Sequence, residues 1–267
     1  MNLSTRLLRY LPALFFLIFS STISAQSSGR ILPQEFYQIK IYHFTNAEQE
    51  VELDDYLKTA YLPALHKASI KNIGVFKPLT NDTAADKRIY VFFAAASAEK
   101  LIGLTAQLLK DKVYSEGAKK YMAAAFDHPH FTRFETILLK AFLMAPQMKT
   151  PNLKGEKKER IYELRSYESA TEKLYNSKIK MFNEGGEIAL FKRLDFNAIF
   201  YADVISGSRM PNLMYMTSFE NKTERDEHWK TFGADPEWKT LSALPEYQHT
   251  VSKADVILMH ATDYSDL

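Results

Sequence analysis

An internal repeat is the feature that most constrains how this chain can fold. Residues Arg160–Tyr167 and Phe36–Tyr42 both alternate apolar and polar side chains, as a strand with one buried face does. The two copies are spaced by about 120 residues, which is too long for a solenoid unit and predicts two fused copies of one domain. Aligning the two strands places Tyr162 on Tyr37, Arg165 on Lys40 and Tyr167 on Tyr42.

Each copy follows the order β-α-β-β-α-β, which is the ferredoxin-like unit. In the first copy, strands are predicted within 36–43, 70–78, 88–94 and 131–142, with helices after Asn46 and over 97–109. In the second copy, strands are predicted within 160–167, 197–205, 213–219 and 251–260, with helices after Ser169 and over 224–232 and 237–244. The Pro, Gly and Lys content of 146–158 indicates a linker, so the predicted domains are 36–145 and 159–267.

An antiparallel sheet with helices on one face needs a cover for its other face. Packing the bare faces of the two copies sheet to sheet solves this within one chain. The favoured prediction is therefore an α+β fold in which two tandem ferredoxin-like domains form a pseudo-dimeric barrel. Two alternatives remain open: each half dimerises with another chain, or the fused pair dimerises again as a homodimer.

The first 25 residues have the layout of a signal peptide. Arg6 and Arg9 form a basic region, Leu11–Phe19 is apolar, and cleavage is expected near Ala25, before a polar tether over 26–35. The apolar run is too short to span ~30 Å of hydrocarbon. We therefore expect an exported protein, periplasmic or secreted, without stable membrane insertion.

Charge and cysteine content argue against several classes of protein. The formal charge of +2 falls to zero once Arg6 and Arg9 are removed, and without a basic cluster no nucleic-acid partner is expected. The chain has no cysteine, which excludes disulfides and thiolate metal ligands. His128 and His130 form a close pair, but the proline between them makes this a weak metal signal, so no metal site is predicted.

Several motifs of the second copy resemble the NIPSNAP family. They are, in chain order, Tyr162–Tyr167, Met181–Ile188, Pro211–Met216, Asp235–Lys239 and the closing Asp263–Ser265. The first copy resembles the same domain more faintly, through Phe131–Glu135. The resemblance implies a dimeric α+β barrel whose members are mostly binding or scaffold proteins, within a superfamily that includes small monooxygenases and haem enzymes. The chain departs from the family pattern at Asp195 and Ala198, where Gly and Pro are expected.

Three candidate ligand-binding residues, Glu163, Arg165 and Tyr167, share one face of the first strand of the second copy. If the apolar residues between them contact the helices, these three line the barrel interior, where charges need partners. The simpler interpretation is that Glu163 and Arg165 form a structural ion pair. The functional interpretation is a site for an anion or a carboxylate built on Arg165. Lys40 keeps the charge in the first copy but lacks the bidentate geometry of arginine.

A second group of candidates lies around two adjacent glycines. Asn183, Gly186 and Glu187 are predicted on one helical face, at i, i+3 and i+4. Gly185 and Gly186 would each cost about 1 kcal/mol in a helix against alanine, so something requires them. Close approach of a strand backbone is one explanation; the other is room for a substrate, with Glu187 as a general base whose pKa burial raises. Tyr215 is the remaining ligand-binding candidate.

The stretch Asp235-Pro236-Glu237-Trp238 predicts the start of a helix. Asp235 would cap the helix, Pro236 would occupy its first position, and Trp238 would dock it on the core. This role is structural.

The sequence supports two function hypotheses. The first is a protein that binds a small organic or anionic ligand, or a partner protein; it rests on the lack of an assembled catalytic constellation. The second is a small cofactor-independent monooxygenase-like or haem-using enzyme, which requires a polar cavity where Arg165, Tyr167, Tyr215, Glu187 or a histidine converge. No cofactor is predicted, and an axial haem ligand is the minor possibility weighed for the strand histidines, which are His43, His249 and His260.

Overall fold

A computed structural model of the protein describes residues 32–267, and Leu32–Leu267 form one compact unit. The predicted signal peptide and most of the predicted tether lie outside the described residues. Within 32–267, no helix combines the length and the apolar content needed to cross a bilayer.

The elements of the two halves follow the same order. The first half contains β1 (Phe36–Phe44), α1 (Ala47–Tyr56), a π-helical turn (Leu57–Tyr61), α2 (Leu62–Lys67), β2 (Gly74–Pro78), β3 (Lys87–Ala95), α3 (Ala98–Leu108), α4 (Lys112–Gly117), α5 (Lys119–Met122) and β4 (Arg133–Ala141). The second half contains β5 (Ile161–Glu168), α6 (Glu172–Asn183), α7 (Glu187–Arg193), β6 (Asn197–Ser206), β7 (Asn212–Phe219), α8 (Lys222–Ala234), α9 (Pro236–Ser242) and β8 (Lys253–Ala261). Short 3₁₀ turns cover Lys157–Glu159 and Pro245–Tyr247.

The strands close into one antiparallel barrel in the order β1-β3-β2-β8-β5-β7-β6-β4. Each half contributes its strands in the order second, third, first, fourth, as a ferredoxin-like sheet does. The two sheets also join at their edges, where Phe76 of β2 lies opposite Ala261 of β8 and Leu139 of β4 opposite Val204 of β6. The predicted pseudo-dimeric barrel of two tandem ferredoxin-like domains is confirmed, and it closes within one chain.

Side chains from both halves fill the barrel interior. The ring centroid of Phe92 lies 5.5 Å from that of Tyr37 and 4.6 Å from that of Phe200. Leu164 of the second half belongs to the same buried cluster. An eight-stranded barrel is just wide enough for such side chains to fill, so this interior is a packed core.

The polar face of β5 points toward the helices. Tyr162 and Leu164 lie in the barrel core, whereas Tyr167 packs with the helix-side cluster of the second half. The apolar residues Tyr162 and Leu164 therefore do not contact the helices, and the condition under which Glu163, Arg165 and Tyr167 would line the barrel interior is not met. Both faces of the strand are covered, and alternation alone does not tell which of them meets the other half.

The linker predicted over 146–158 is bonded along the barrel. Met148 N donates to Glu35 Oε2 at 2.8 Å, and Lys149 N donates to Ile199 O at 2.9 Å. The second of these bonds continues the edge of β6 beyond the end of β4, so the linker forms part of the wall.

The helix caps match the sequence prediction in one case and differ in another. Asp235 Oδ1 accepts hydrogen bonds from Glu237 N at 2.9 Å and Trp238 N at 3.3 Å, which confirms the predicted start of α9. The cap of α6 is Thr171, so this helix begins two residues later than the predicted start directly after Ser169, whose hydroxyl donates to Thr250 O at 2.6 Å.

Candidate functional site

Glu163 is the centre of a buried polar cluster on the helix side of the second half. Its carboxylate is shielded from solvent and accepts hydrogen bonds from Arg165 Nε at 2.5 Å, Arg225 Nε at 2.6 Å and Trp229 Nε1 at 2.8 Å. Burial alone would raise the pKa of Glu163, but the hydrogen bonds from Arg225 and Arg165 outweigh burial and hold that pKa below its ordinary value of 4.5. Glu163 is therefore a carboxylate whose oxygens are engaged by the protein itself.

Arg165 connects this carboxylate to two phenols. Its Nη1 donates to Tyr167 OH at 2.8 Å, and Tyr167 OH lies 2.9 Å from Tyr215 OH. The guanidinium carbon lies 3.6 Å from the ring centroid of Trp229, which is a close cation–π contact. The candidates Glu163, Arg165, Tyr167 and Tyr215 thus come together, as one bonded network.

Glu187 begins α7 near this network and pairs with Lys178 of α6. Lys178 Nζ donates to Glu187 Oε2 at 2.8 Å, and both side chains are buried. Burial raises the pKa of Glu187, although the attraction of Lys178 opposes this effect. The raised pKa of Glu187 agrees with the sequence prediction. Its carboxylate, however, faces the ammonium group of Lys178 and has no open space for a substrate.

Asn183 bonds to backbone groups, since its Oδ1 accepts from Met144 N at 3.1 Å and its Nδ2 donates to Ile179 O at 3.0 Å. The predicted helical face shared with Gly186 and Glu187 is wrong. The helix α6 ends at Asn183 and α7 begins at Glu187, so a break separates them. Gly186 takes a φ of +95°, and a Cβ on Gly185 would lie 2.7 Å from Met181 O. The glycines are therefore required by the break and by a close contact with the backbone of their own helix, rather than with a strand.

The polar cluster does not line any of five prominent cavities among residues 32–267. Arg165, Tyr167, Tyr215 and Glu187 line none of these five. The enzyme hypothesis needed these side chains to converge on a cavity. They converge on one another and on Lys178.

A groove of about 540 Å³ lies between the linker, α7 and the start of β6. Its volume is within the range of ~300–1,000 Å³ that is usual for small-molecule sites. Neither Lys149 nor Lys192 has a carboxylate within 4.0 Å of its Nζ in the described part of the chain. This linker groove is lined by residues that include Met144, Gln147, Lys149, Ile188, Lys192 and Asp195.

The turn beside the linker groove contains both departures from the family pattern, Asp195 and Ala198. Asp195 has a φ of +56°, Asp195 N donates to Lys192 O at 3.2 Å, and Phe196 N donates to Phe191 O at 3.0 Å. This is the helix ending in which glycine is usual at the left-handed position. Ala198 N donates to Phe196 O at 2.9 Å, a bond that proline could not make.

A smaller cavity of about 210 Å³ opens at one end of the barrel and is lined by both halves. His43 is buried there, with Nδ1 2.8 Å from Asp86 Oδ1 and Nε2 3.1 Å from Glu135 Oε1. Arg88 bonds to Asp86 at 2.8 Å and lies on the same wall. The charged side chains around this cavity are paired, and the cavity volume is below the ~300 Å³ of ordinary ligand sites.

The histidines weighed as haem ligands do not fit that role. Both ring nitrogens of His43 face carboxylates, and His260 Nδ1 lies 2.9 Å from Arg160 O beside a cavity of about 220 Å³. His249 lines none of the five cavities. The cavities beside His43 and His260 are both smaller than the ~300 Å³ of ordinary small-molecule sites. Over residues 32–267, His, Asp and Glu side chains form no group of three that could hold a metal ion.

Sequence reasoning missed the partners that complete the buried cluster. Arg225 and Trp229 lie at i and i+4 on α8, and this spacing places both on one face of the helix. Lys178 is on α6, nine positions before Glu187. A tryptophan and an arginine at helical spacing were a usable signal, whereas nothing in the sequence marked Lys178.

The NIPSNAP family model matches residues 162–266. A comparison with curated proteins gave no significant match. Many solved structures match this fold, among them three that cover both halves of the chain. A Lactobacillus acidophilus protein provisionally named a monooxygenase is 14% identical, with a TM-score of 0.52 over 85% of this chain and 94% of its own.

The second structure, from Fusobacterium nucleatum and also provisionally named a monooxygenase, is 6% identical, with a TM-score of 0.54 over 86% of this chain and 93% of its own. The third, an anthrone oxidase-like protein, is 8% identical, with a TM-score of 0.50 over 86% of this chain and 92% of its own. At such identities the likeness is one of fold, and it extends over both halves of the barrel. The matched span 162–266 lies in the second half of the chain and contains the motifs of that half that suggested the resemblance.

Proposed function

We propose that this chain is an exported binding protein that holds a small organic anion in the linker groove. The observation that supports this most is the pair of lysines on the groove wall, Lys149 and Lys192, neither of which has a carboxylate partner among residues 32–267. Two lysines against the single Asp195 leave one net positive charge in the groove. Unpaired ammonium groups in a concave site attract anions.

The apolar part of the groove favours an anion that also carries a hydrocarbon portion. Met144 and Ile188 line it together with the lysines. Small-molecule sites typically combine an apolar lining with a few polar groups that fix orientation. An aromatic or aliphatic carboxylate matches this combination.

The buried cluster supports binding over catalysis. Glu163 and Arg165 bond to each other at 2.5 Å, and Glu187 bonds to Lys178 at 2.8 Å. A general base needs to reach the proton that it removes, and these groups reach only protein atoms. The simple interpretation of the Glu163–Arg165 pair, as part of the structure, accounts for its geometry.

The alternative is a monooxygenase-like or haem-using enzyme of the same superfamily. Its support is the monooxygenase name of two structures that share the fold at 14% and 6% identity. Such a likeness concerns the fold, and no described cavity joins the groups that such an enzyme would use. The binding function therefore has more support.

Methyl NMR with benzoate as the probe tests the groove. Saturable shifts of the Ile188 and Met144 methyl signals are expected, with an affinity at least tenfold lower in Lys149→Glu. The matched control is Lys230→Glu, since Lys230 is an exposed lysine on α8 away from the groove. Absence of shifts at both methyl groups, or an equal loss of affinity in the control, would overturn the proposal.

Export is tested separately. We expect the chain, expressed with its first 25 residues, to be recovered outside the cytoplasm with its N-terminus near Gln26. Recovery of the full chain in the cytoplasm alone would contradict export and leave the groove experiment unaffected.

A further inference from the structure

The side chain of Lys40 lies among aromatic rings on the helix side of the first half. Its Nζ is 4.3 Å from the ring centroid of Phe134, 4.9 Å from that of Tyr42 and 5.6 Å from that of Tyr61. All three distances are within the range of cation–π contacts. The π-helical turn Leu57–Tyr61 supplies one of the rings, and such turns are frequent at functional sites.

The amine of Lys40 has no acidic partner in the described part of the chain. No carboxylate lies within 4.0 Å of its Nζ among residues 32–267, and its Nζ makes no hydrogen bond there. The repeat explains this. Arg165 occupies the matching position of the second half and pairs with Glu163, whereas the residue that matches Glu163 in the first half is the neutral Gln38.

The elements packed around Lys40 offer neutral groups. Tyr42 of β1 and Tyr61 of the π-helical turn are the titratable side chains in contact with it, and burial raises the pKa of both phenols, so that both stay uncharged at neutral pH. On β4 the contact is Phe134. The acidic side chains of α1 that form ion pairs bind other lysines: Glu50 and Asp54 bond to Lys77, and Glu52 bonds to Lys120.

An amine in such surroundings loses its proton more easily than an exposed lysine. Burial lowers the pKa of Lys40 from 10.5 to about 8. The aromatic rings offset only part of the hydration that the Lys40 ammonium group loses, because their attraction for a cation is weaker than hydration by bulk water. Near neutral pH the neutral fraction of this amine is therefore much larger than that of an exposed lysine, and the neutral amine is the nucleophilic form.

The amine can also be reached from solvent. Lys40 is partly exposed, and Phe134 beside it is 48% exposed. A flat aromatic molecule could stack on the exposed ring while its reactive group meets Nζ. The surrounding rings favour an aromatic reactant over an aliphatic one.

We propose that Lys40 is a nucleophilic lysine that forms an imine with a small aromatic aldehyde. The lone pair of Nζ attacks the carbonyl carbon, and the electron pair of the C=O bond moves to oxygen, which takes up a proton. The resulting carbinolamine loses its hydroxyl group and the nitrogen proton as water, which leaves a C=N bond. One aldehyde and one amine thus give one imine and one water, with no change of oxidation state. This site does not depend on the linker groove.

Reductive trapping of the full chain tests the proposal. The protein is incubated with benzaldehyde and sodium cyanoborohydride over pH 6.5–10, and benzylated lysines are located by peptide mass spectrometry. We expect Lys40 to be modified at least tenfold faster than the exposed Lys230 at pH 7.5, with a rate that levels off above about pH 8. Modification of Lys40 no faster than that of Lys230 would overturn the proposal.

Two variants separate chemistry from folding. Lys40→Arg keeps the charge, copies Arg165 of the second half, and should abolish the rapid adduct. Gln38→Glu keeps the lysine and copies Glu163, so that the new carboxylate should stabilise the ammonium form and slow trapping at pH 7.5 at least fivefold. Rapid trapping at other sites in Lys40→Arg, or an unchanged rate at Lys40 in folded Gln38→Glu, would count against the proposal.

Discussion

Lys178 and Glu187 form an ion pair of 2.8 Å in which 6% and 3% of their side chains are exposed. They belong to different helices, so the pair fixes the position of α7 against α6 after the glycine break. Two charges so far from water stabilise the fold only as a pair, because each alone would keep the full cost of desolvation.

Lys178→Met should therefore lower the free energy of unfolding by about 3–5 kcal/mol at pH 7. Urea denaturation at constant pH measures it. The matched control is Glu246→Gln, which breaks the pair between Lys180, two residues along α6, and Glu246. That pair is about half exposed, at 48% and 50%, and its loss should cost under ~1 kcal/mol. Similar losses for both variants would contradict the burial argument. The double variant Lys178→Met/Glu187→Leu should recover most of the stability.

The pH dependence of stability should depend on Glu163. Burial would raise its pKa, but the bonds from Arg225 and Arg165 lower it below 4.5, so the unfolded chain takes up this proton first as the pH falls. The contribution of Glu163 to the free energy of unfolding is then complete above about pH 4.5. It is lost as the pH falls through the pKa that Glu163 has in the folded protein. Urea denaturation of the wild type and Glu163→Gln from pH 7 to pH 3 should show a difference that shrinks below about pH 4.5. The control Glu184→Gln, at an exposed site, should follow the wild type throughout.

Much of the fold could be predicted because its determinants are local. Alternation in β1 and β5, the cap at Asp235 and the repeat all survive in the structure. The sequence could not tell which face of β5 packs against the other half, because both faces of this strand are buried. Tyr162 packs against the other half, while Arg165 packs against the helices. Periodicity identifies two faces, and only tertiary packing assigns them.

The candidate site shows the same limit. Glu163, Arg165, Tyr167 and Tyr215 lie in one bonded network, but the partners that close the cluster come from other helices of the chain. The linker groove depends on a backbone bond between Lys149 and Ile199, which no side-chain pattern encodes.

Hydroxyl groups inside and outside the barrel should respond differently to removal. Tyr37 OH is buried in the barrel core without a hydrogen-bond partner among the described residues, whereas Tyr215 OH lies 2.9 Å from Tyr167 OH. Tyr37→Phe should leave the unfolding free energy unchanged or raise it by about 1 kcal/mol, since an unsatisfied buried group is costly. Tyr215→Phe should lower it by about 1 kcal/mol. A loss in Tyr37→Phe as large as that in Tyr215→Phe would mean that the first hydroxyl is bonded.

Asp195 supplies the last prediction, because it holds a left-handed φ of +56° at the end of α7. That conformation destabilises the folded state by roughly 1–2 kcal/mol when the residue is not glycine. Glycine instead destabilises it by about 0.5–1 kcal/mol, because it raises the entropy of the unfolded chain. Asp195→Gly should therefore raise the unfolding free energy by up to about 1 kcal/mol, measured by urea denaturation. Gly186→Ala is the converse control: its φ of +95° disfavours any Cβ, so it should destabilise the fold. The Asp195→Gly variant also removes the single acidic side chain from the wall of the linker groove. If the variant keeps the fold and binds benzoate more tightly, this departure from the family pattern is linked to the ligand that the groove accepts.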